Sequence, residues 1–288
     1  MLGQFSYSAP QSVSAAVAAL AATPGSKALA GGQGLLTMMK LGRANPPLLV
    51  DLGRIAALRG VADADGRQRI GALTTLAELL DAPTVRDRYP ALVEAARTTG
   101  DAQLRNRATV GGALASRSAA ADIAAVLLLY GASLTIAGPG SERTLPLTDF
   151  YAGPDPALAA DEIITAVELP VAAPNGAGAY EKVYDRATLQ PVCGVAADVS
   201  LAKDGTVRVA RLAVTGATRR PTRLTAAERA LAGATVPVDT STLPVGDADA
   251  FVDDVVASAV YRAHLTRVLI GRAVARVVAD RCVTSSTI

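Results

Sequence analysis

Two glycine-rich turns constrain this chain more than any other feature. The first contains Ala30, Gly31, Gly32, Gln33 and Gly34, and the second contains Thr109, Val110, Gly111, Gly112 and Ala113. Because glycine has no Cβ, such turns let backbone N–H groups face a concavity and let a ligand approach closely. Two such turns on one domain predict a site for the two phosphates of a dinucleotide. A glycine pair by itself more often marks an ordinary tight turn.

The composition predicts a globular protein with a large core. The chain has 288 residues, of which 50% are hydrophobic and 19% are charged. Tryptophan is absent and phenylalanine is scarce, so the core is expected to consist of small aliphatic side chains. The formal net charge is +2, and no segment resembles a basic arm, so the sequence does not favour nucleic-acid binding.

Metal chemistry is not predicted within this chain. Cys193 and Cys282 are its cysteines, and His264 is its one histidine. Two cysteines cannot supply the four ligands of an iron–sulfur cluster, and a single histidine cannot make a zinc or iron site of the usual kind. We interpret His264 and Cys193 as structural residues and place Cys282 near a frayed end.

The hydropathy pattern predicts a cytoplasmic protein with no membrane span. Residues 13–22 are apolar, but this stretch is short and rich in alanine, and the first basic residue of the chain is Lys27. These properties favour an amphipathic helix over a signal peptide. A long uncharged stretch, residues 123–141, contains Gly131, Gly138 and Pro139, which indicates a buried helix, a turn and a strand.

Hydrophobic periodicity predicts an α+β protein. The expected helices cover residues 12–22, 35–41, 119–130 and 253–281, and the expected strands cover 27–30, 48–52, 133–137, 163–169, 179–186, 192–202 and 207–215. Capping boxes are predicted at Thr75 with Glu78 and at Thr225 with Glu228. A linker at 170–178 divides the chain into a domain at 1–175, with subdomains 1–56 and 57–175, and a domain at 179–288.

Several segments resemble the flavin-binding subunit of molybdenum hydroxylases, the family that includes xanthine dehydrogenase and aerobic carbon monoxide dehydrogenase. The order and spacing of these segments make the resemblance specific, and it extends over nearly the whole chain. The segments are 30–36, Met39 with Lys40, 49–52, 100–112, 120–122, 161–164, 180–182 and 258–265.

The resemblance implies a non-covalent FAD site in a two-subdomain α/β fold of the PCMH type. A C-terminal domain with a three-stranded antiparallel sheet and a helical bundle would follow. Lys27 and residues 30–34 would hold the pyrophosphate from one side, and residues 109–113 from the other. Asp122 would bind the ribityl or adenosine hydroxyls, and Ile164 would line the isoalloxazine pocket. Lys182 would lie near the flavin ring, where a cation favours the anionic reduced form.

The resemblance also implies partners and an electron-transfer role. A small subunit would carry two [2Fe–2S] clusters, and a large subunit would carry molybdopterin cytosine dinucleotide, in a dimer of heterotrimers. Arg105, Asn106 and Arg107 are candidates for a subunit contact. Ala113, Arg117 with Ser118, and residues 188–193 depart from the family pattern. The last departure favours a complex that hydroxylates an N-heterocycle or an alkaloid, with carbon monoxide dehydrogenase as the alternative.

Simpler interpretations stay open for several residues. Asp122 is either a cofactor ligand or the N-cap of its helix, and Lys182 is either a flavin neighbour or a solvated charge at a strand edge. Arg105 and Arg107 either belong to a solvated loop or bind phosphate or a partner. A stand-alone FAD oxidase and a scaffold that has lost its flavin are the competing functions of other classes.

Overall fold

The computed structural model describes residues 3–64, 66–153, 157–172 and 178–285. The chain forms two compact units, each built from separate segments. Unit 1 contains residues 1–79, 102–117 and 131–171, and unit 2 contains residues 80–101, 118–130 and 172–288. Most of the expected linker, residues 173–177, lies outside the described residues, and the boundary between 175 and 179 stays a prediction.

Unit 1 begins with a three-stranded parallel sheet. Its strands are β1 (Ser6–Ser8), β2 (Lys27–Leu29) and β3 (Leu48–Asp51), in the order β1-β3-β2. Helix α1 (Val13–Ala22) leads into β2, and α2 (Leu35–Lys40) leads from β2 towards β3. The Ser12 hydroxyl caps α1 by accepting a bond from the Ala15 N–H, and Val17 and Leu20 bury one face of this helix. The helices expected at 12–22 and 35–41 and the strands expected at 27–30 and 48–52 are therefore present.

A five-stranded antiparallel sheet completes unit 1. The strands are β4 (Val61–Ala64), β5 (Arg67–Gly71), β6 (Ser133–Gly138), β7 (Ser141–Pro146) and β8 (Ile163–Pro170). Their order is β4-β5-β8-β6-β7. Aliphatic side chains from α1, β3 and this sheet form one continuous core, which includes Val17, Val50, Ala137 and Ile163.

In the part of the chain that the structure describes, seven short helices follow β5 and precede β8 in the sequence. They are α3 (Leu76–Asp81), α4 (Pro83–Arg88), α5 (Pro90–Thr98), α6 (Ala102–Arg105), α7 (Val110–Ala115), α8 (Asp122–Leu129) and α9 (Leu147–Ala152). Thr75 and Glu78 form the expected capping box: the Thr75 N–H donates to Glu78 Oε2 at 2.7 Å, and the Glu78 N–H donates to Thr75 Oγ1 at 3.1 Å.

Unit 2 contains the C-terminal antiparallel sheet. Its strands are β9 (Ala179–Tyr184), β10 (Pro191–Leu201), β11 (Val207–Thr215) and β12 (Thr222–Arg223), in the order β12-β11-β10-β9. The three expected strands are present, and the two-residue β12 adds a fourth. The expected helical bundle consists, in the described part of the chain, of α10 (Thr225–Leu231) and α11 (Ala259–Ser285), which pack against this sheet.

Two predicted helix starts are wrong. Thr225 is not a cap: α10 already begins at Thr225, and Glu228 Oε1 instead accepts the Leu212 N–H at 2.8 Å and pairs with Arg223 at 2.7 Å. The last helix begins at Ala259 and not at residue 253, because Asp254 Oδ1 accepts the N–H groups of Val256 and Ala257 and fixes a turn there. Among the described residues, no helix combines the length and the apolar content that crossing a bilayer requires.

Candidate functional site

The first glycine-rich turn connects β2 to α2 in unit 1. Gly32 has a φ of +78°, a conformation that residues with a Cβ rarely adopt. The Gly32 carbonyl accepts the Leu36 N–H at 3.0 Å, and the Gln33 carbonyl accepts the Thr37 hydroxyl at 2.7 Å. These bonds orient the carbonyl groups of Gly32 and Gln33 towards the first residues of α2.

The N–H groups of the first turn are left without acceptors. In the described part of the chain, the N–H groups of Gly31, Gly32, Gln33 and Gly34 donate no hydrogen bond. A Cβ built at Gly34 would meet no atom within 4 Å, so the backbone there borders open space. Consecutive N–H groups with no internal partner form a site that suits phosphate oxygens.

The second glycine-rich turn differs, because its N–H groups bind within the protein. The N–H groups of Val110 and Gly111 donate to the carbonyls of Thr74 and Ala72 at 3.0 and 2.8 Å. The Gly112 N–H donates to Thr109 Oγ1 at 3.2 Å, which makes Thr109 the N-cap of α7. The Ala113 N–H donates to the Thr109 carbonyl at 2.9 Å. Of the five residues 109–113, only Thr109 has an N–H group that donates no hydrogen bond within the described chain.

The two turns lie against each other. A Cβ on Gly31 would overlap the carbonyl group of Arg107, with 2.9 Å to its carbon, and would lie 3.1 Å from Ala108 Cα. A Cβ on Gly112 would lie 3.7 Å from Ala30 Cβ. The backbones can approach this closely only because Gly31 has no side chain. The fold therefore brings together the two sequence segments that were predicted to form one site.

Two other predicted residues of unit 1 lie outside the two turns in the sequence. Lys27 is exposed at the first residue of β2. Three residue steps of extended backbone separate it from Ala30 by about 10 Å. Ile164 is buried in β8, where it pairs with Ile136 of β6. Their contacts with FAD stay predictions.

Asp122 and Lys182 form a buried ion pair in unit 2. Lys182 Nζ lies 3.1 Å from Asp122 Oδ1, and the side chains are only 4% and 2% exposed. Lys182 Nζ also donates to the carbonyls of Thr98 and Leu189 at 2.7 and 3.1 Å, so all three of its protons have acceptors. Asp122 accepts the Tyr180 hydroxyl at 2.6 Å on Oδ1 and the Thr99 hydroxyl at 3.1 Å on Oδ2.

This network corrects both simpler interpretations. Lys182 is not a solvated edge charge, because its side chain is almost fully enclosed. Asp122 is not the N-cap, because the N-cap of α8 is Ala121 and Asp122 is the first helical residue. The predicted flavin contacts of both residues stay predictions, and the described protein already provides partners for both charged groups.

Burial is the largest cause of the pKa shifts of Asp122 and Tyr180 in this network. Burial raises the pKa of the Asp122 carboxyl, and the charge of Lys182 and the hydrogen bonds from Tyr180, Lys182 and Thr99 oppose that rise. Burial and the neighbouring Asp122 charge raise the pKa of Tyr180 well above its ordinary value. Tyr180 therefore stays a neutral donor to Asp122 at physiological pH.

The sequence analysis missed Tyr180 and Thr99 as members of this network. A signal for Tyr180 was present, because residues two apart on a strand share a face, and Tyr180 precedes Lys182 by two positions in β9. Thr99 offered no such signal, since it lies beyond the end of α5 and meets Asp122 only through the tertiary fold.

Cys193 and His264 were predicted to be structural residues, and Cys282 was predicted to lie near a frayed end. Cys193 is buried, with Sγ 3.4 Å from Thr266 Oγ1. His264 is exposed on α11, and the side chain of Cys282 lies outside the described residues. No group of His, Cys, Asp and Glu side chains in the described ranges is arranged to hold a metal ion.

Two family models match the chain. Residues 3–172 match the FAD binding domain in molybdopterin dehydrogenase, and residues 178–277 match the CO dehydrogenase flavoprotein C-terminal domain. This chain belongs to the FAD-binding subunits of the molybdopterin dehydrogenases. It is an oxidoreductase subunit, and its cofactor is FAD.

Individual relatives agree with the family models. The chain is 33% identical to the nicotine 6-hydroxylase medium subunit of Paenarthrobacter nicotinovorans over 93% of this chain and 95% of that one. It is 37% identical to the carbon monoxide dehydrogenase medium chain of Hydrogenophaga pseudoflava over 74% of each. A solved carbon monoxide dehydrogenase structure from Hydrogenophaga pseudoflava matches with a TM-score of 0.87 and 31% identity, covering 97% of this chain and 99% of that one.

Proposed function

We propose that the first glycine-rich turn binds the FAD pyrophosphate through its backbone. The observation that supports this most strongly is the run of four N–H groups from Gly31 to Gly34 that lack acceptors in the described chain. Bonds from such donors to phosphate are charge-assisted and need no side chain. Ala30 begins the turn, and Lys27 would contribute long-range positive charge.

The second turn has a supporting role in this proposal. Since the N–H groups of residues 110–113 already bind protein acceptors, Thr109 offers the remaining donor groups to the cofactor: its N–H and its hydroxyl. Val110, Gly111, Gly112 and Ala113 would contribute by packing, because they place the Arg107 backbone against Gly31. Ile164 would line the isoalloxazine pocket. Asp122 would bind the ribityl or adenosine hydroxyls of FAD, and Lys182 would lie near the flavin ring.

FAD, when bound, supplies the exchange between one-electron and two-electron transfer. The chain's own residues would hold and orient the cofactor, and no side chain would act as an acid or base on the organic substrate. The chain would accept electrons from an iron–sulfur subunit and deliver them to a final acceptor. The family of this chain disfavours a stand-alone oxidase, because the two relatives named above are medium subunits of larger enzymes.

The proposed assembly contains two further kinds of subunit. A small subunit would carry two [2Fe–2S] clusters, and a large subunit would carry molybdopterin cytosine dinucleotide, as a dimer of heterotrimers. Arg105, Asn106 and Arg107 are candidate contact residues, since Asn106 and Arg107 are exposed and the Arg107 backbone lies against Gly31 of the first turn. The proposed location is the cytoplasm.

An N-heterocycle or an alkaloid is the proposed substrate class of the whole complex. The likeness to the nicotine 6-hydroxylase medium subunit supports it, because it extends over nearly the full length of both chains. Carbon monoxide is the second candidate, and it is supported by the higher identity to a carbon monoxide dehydrogenase medium chain. The substrate pocket would lie in the large subunit, so residues of this chain do not decide between them.

Anaerobic reduction of the complex purified from its host would test the proposal. Flavin bleaching near ~450 nm on adding a pyridine-type or purine-type heterocycle, together with stoichiometric molybdenum and iron, is the expected result. Bleaching by carbon monoxide alone would select the second candidate. If the chain purifies without partners and oxidises an organic substrate at an enzymatic rate, the subunit proposal is wrong.

A further inference from the structure

Asp51 ends a strand beside the first glycine-rich turn and was not among the predicted site residues. It is the last residue of β3, and it pairs in register with Leu29, the last residue of β2. Ala30 and the rest of the first turn follow Leu29 directly. Because β2 and β3 are parallel, their carboxyl ends lie at one edge of the sheet, and open α/β sheets bind their ligands at such edges.

The Asp51 side chain and the first turn lie on the same face of this sheet. Val50 packs in one core with α1, so the alternation of side chains along a strand directs Asp51 to the opposite face. Leu29 shares that opposite face, since it pairs in register with Asp51. A Cβ on Gly32 would lie 3.5 Å from Leu29 Cδ1 and 2.9 Å from Leu36 Cδ1, so the turn leads to α2 on this face.

The Asp51 carboxylate is held by two hydrogen bonds and has room for more. Oδ1 accepts the Gly53 N–H at 2.8 Å, and Oδ2 accepts the hydroxyl of Tyr7 from β1. The bond with Asp51 raises the pKa of Tyr7, so this phenol remains a donor at physiological pH. Among the described residues, no Lys or Arg forms an ion pair with Asp51. Since each carboxylate oxygen accepts about two hydrogen bonds, both oxygens can accept a further donor.

The charge of Asp51 determines which part of FAD it can bind. A carboxylate repels phosphate oxygens and binds groups that donate hydrogen bonds. The groups of FAD next to the pyrophosphate are sugars, a ribose on one side and a ribityl chain on the other, and their hydroxyls are donors. In dinucleotide-binding α/β folds, an acidic residue about 20 residues after the glycine-rich turn binds the ribose hydroxyls. Asp51 has a similar position, at the end of the strand that follows the first turn.

We propose that Asp51, oriented by Tyr7, binds sugar hydroxyls of FAD next to the pyrophosphate, on either the ribose or the ribityl chain. The N–H groups of the first turn would bind the phosphates, and Asp51 would accept hydrogen bonds from the adjoining hydroxyls. FAD has hydroxyls on both sides of its pyrophosphate, so this contact is compatible with the predicted contact of Asp122. The inference rests on the proposed binding of FAD by the first turn and adds a residue that recognises the sugar.

FAD and two of its analogues test this contact. One analogue lacks the ribose 2′- and 3′-hydroxyls, and the other lacks the ribityl hydroxyls. Each ligand is titrated into apo-protein of the wild type, of Asp51→Asn and of Asp149→Asn, and binding is followed by flavin fluorescence. Asparagine keeps the size of the Asp51 side chain and an oxygen for the Gly53 N–H. Asp149 is the matched control, because it is an exposed aspartate of unit 1 that also accepts a side-chain hydroxyl, from Thr148 at 3.2 Å.

We expect Asp51→Asn to weaken FAD binding about tenfold or more, because hydrogen bonds to a charged acceptor are lost. Asp149→Asn should bind FAD as the wild type does. At least one analogue should bind the wild type about tenfold more weakly than FAD, and in Asp51→Asn that difference should fall to about twofold or less. The analogue whose difference falls identifies the bound sugar as the ribose or the ribityl chain.

Two outcomes would overturn the inference. If both analogues bind the wild type as tightly as FAD does, the site recognises no sugar hydroxyl; this comparison needs no variant to fold. If the analogues lose the same affinity in Asp51→Asn as in the wild type, the hydroxyls bind elsewhere. A wild-type apo-protein that binds no FAD would instead refute the proposed function, so the two failures are distinguishable.

Discussion

The glycines of the two turns serve different purposes. A Cβ on Gly111 would lie 2.6 Å from Ala72 Cβ and 2.9 Å from the Ala72 carbonyl oxygen, whereas a Cβ on Gly34 would meet nothing. We expect Gly111→Val to lower the free energy of unfolding by about 1–3 kcal/mol through overpacking. Gly34→Val should change it by less than about 1 kcal/mol. Urea denaturation of both variants measures the difference, and equal stabilities would contradict this packing.

Cys193 provides a second test at the scale of single residues. Burial raises the pKa of its thiol to about 11, although Thr266 and Arg262 act in the opposite direction. Below that pH the thiol stays protonated, and the thiolate is the form that reacts. We expect iodoacetamide at pH 8 to leave Cys193 unmodified in the folded chain and to alkylate it in urea, as followed by peptide mass mapping. Equal labelling in both states would contradict the buried position.

At the scale of elements, the Asp122–Lys182 pair connects α8 to β9. Lys182→Met would leave the Asp122 carboxylate buried without its counter-charge, and we expect it to lower the free energy of unfolding by about 3–5 kcal/mol.

A double-mutant cycle separates the pair from its surroundings. Lys182→Met combined with Asp122→Asn removes both charges, and it should recover much of the lost stability. Denaturant titration of the four proteins gives the coupling energy. If the double variant loses as much free energy of unfolding as the two single variants lose together, the two side chains do not act as a pair.

Elements with strong hydrophobic patterns were predictable from the sequence. The helix at 13–22 and the strands at 27–29, 191–201 and 207–215 lie within a residue or two of their expected positions. The hairpin of β4 and β5 was missed, because Arg67, Gln68 and Arg69 give it no apolar alternation. The false cap at Thr225 arose because Glu228 binds the Leu212 N–H of β11, a tertiary contact that the local sequence does not encode.

At the scale of the whole molecule, FAD should stabilise the fold of the isolated chain. A ligand that binds only the native state adds about 2.7 kcal/mol at a hundredfold excess over Kd. We therefore expect the midpoint of a thermal melt of apo-protein to rise as FAD is added. A midpoint that does not move with FAD concentration would contradict the proposed site.

The pairing of the two turns was predictable, but their division of roles was not. The glycine pattern indicated which segments meet, since backbone approach requires the absence of a Cβ at Gly31. Which N–H groups remain available depends on acceptors elsewhere: the carbonyls of Ala72 and Thr74 occupy those of Gly111 and Val110. The surroundings of Asp122 could not be predicted from the sequence either, because Thr99 and Lys182 reach it from distant parts of the chain.

The central claim is that FAD binds through the backbone N–H groups of the first turn. An FAD titration of the apo-protein, followed by flavin fluorescence, tests it with two neighbouring substitutions. Gly34→Val places a branched side chain where phosphate would approach, and we expect it to weaken binding about tenfold or more, the loss of one or two charge-assisted hydrogen bonds. Gln33→Ala removes a side chain but keeps the N–H, and it should bind FAD as the wild type does. Unchanged affinity in Gly34→Val, or a loss of affinity confined to Gln33→Ala, would contradict the claim.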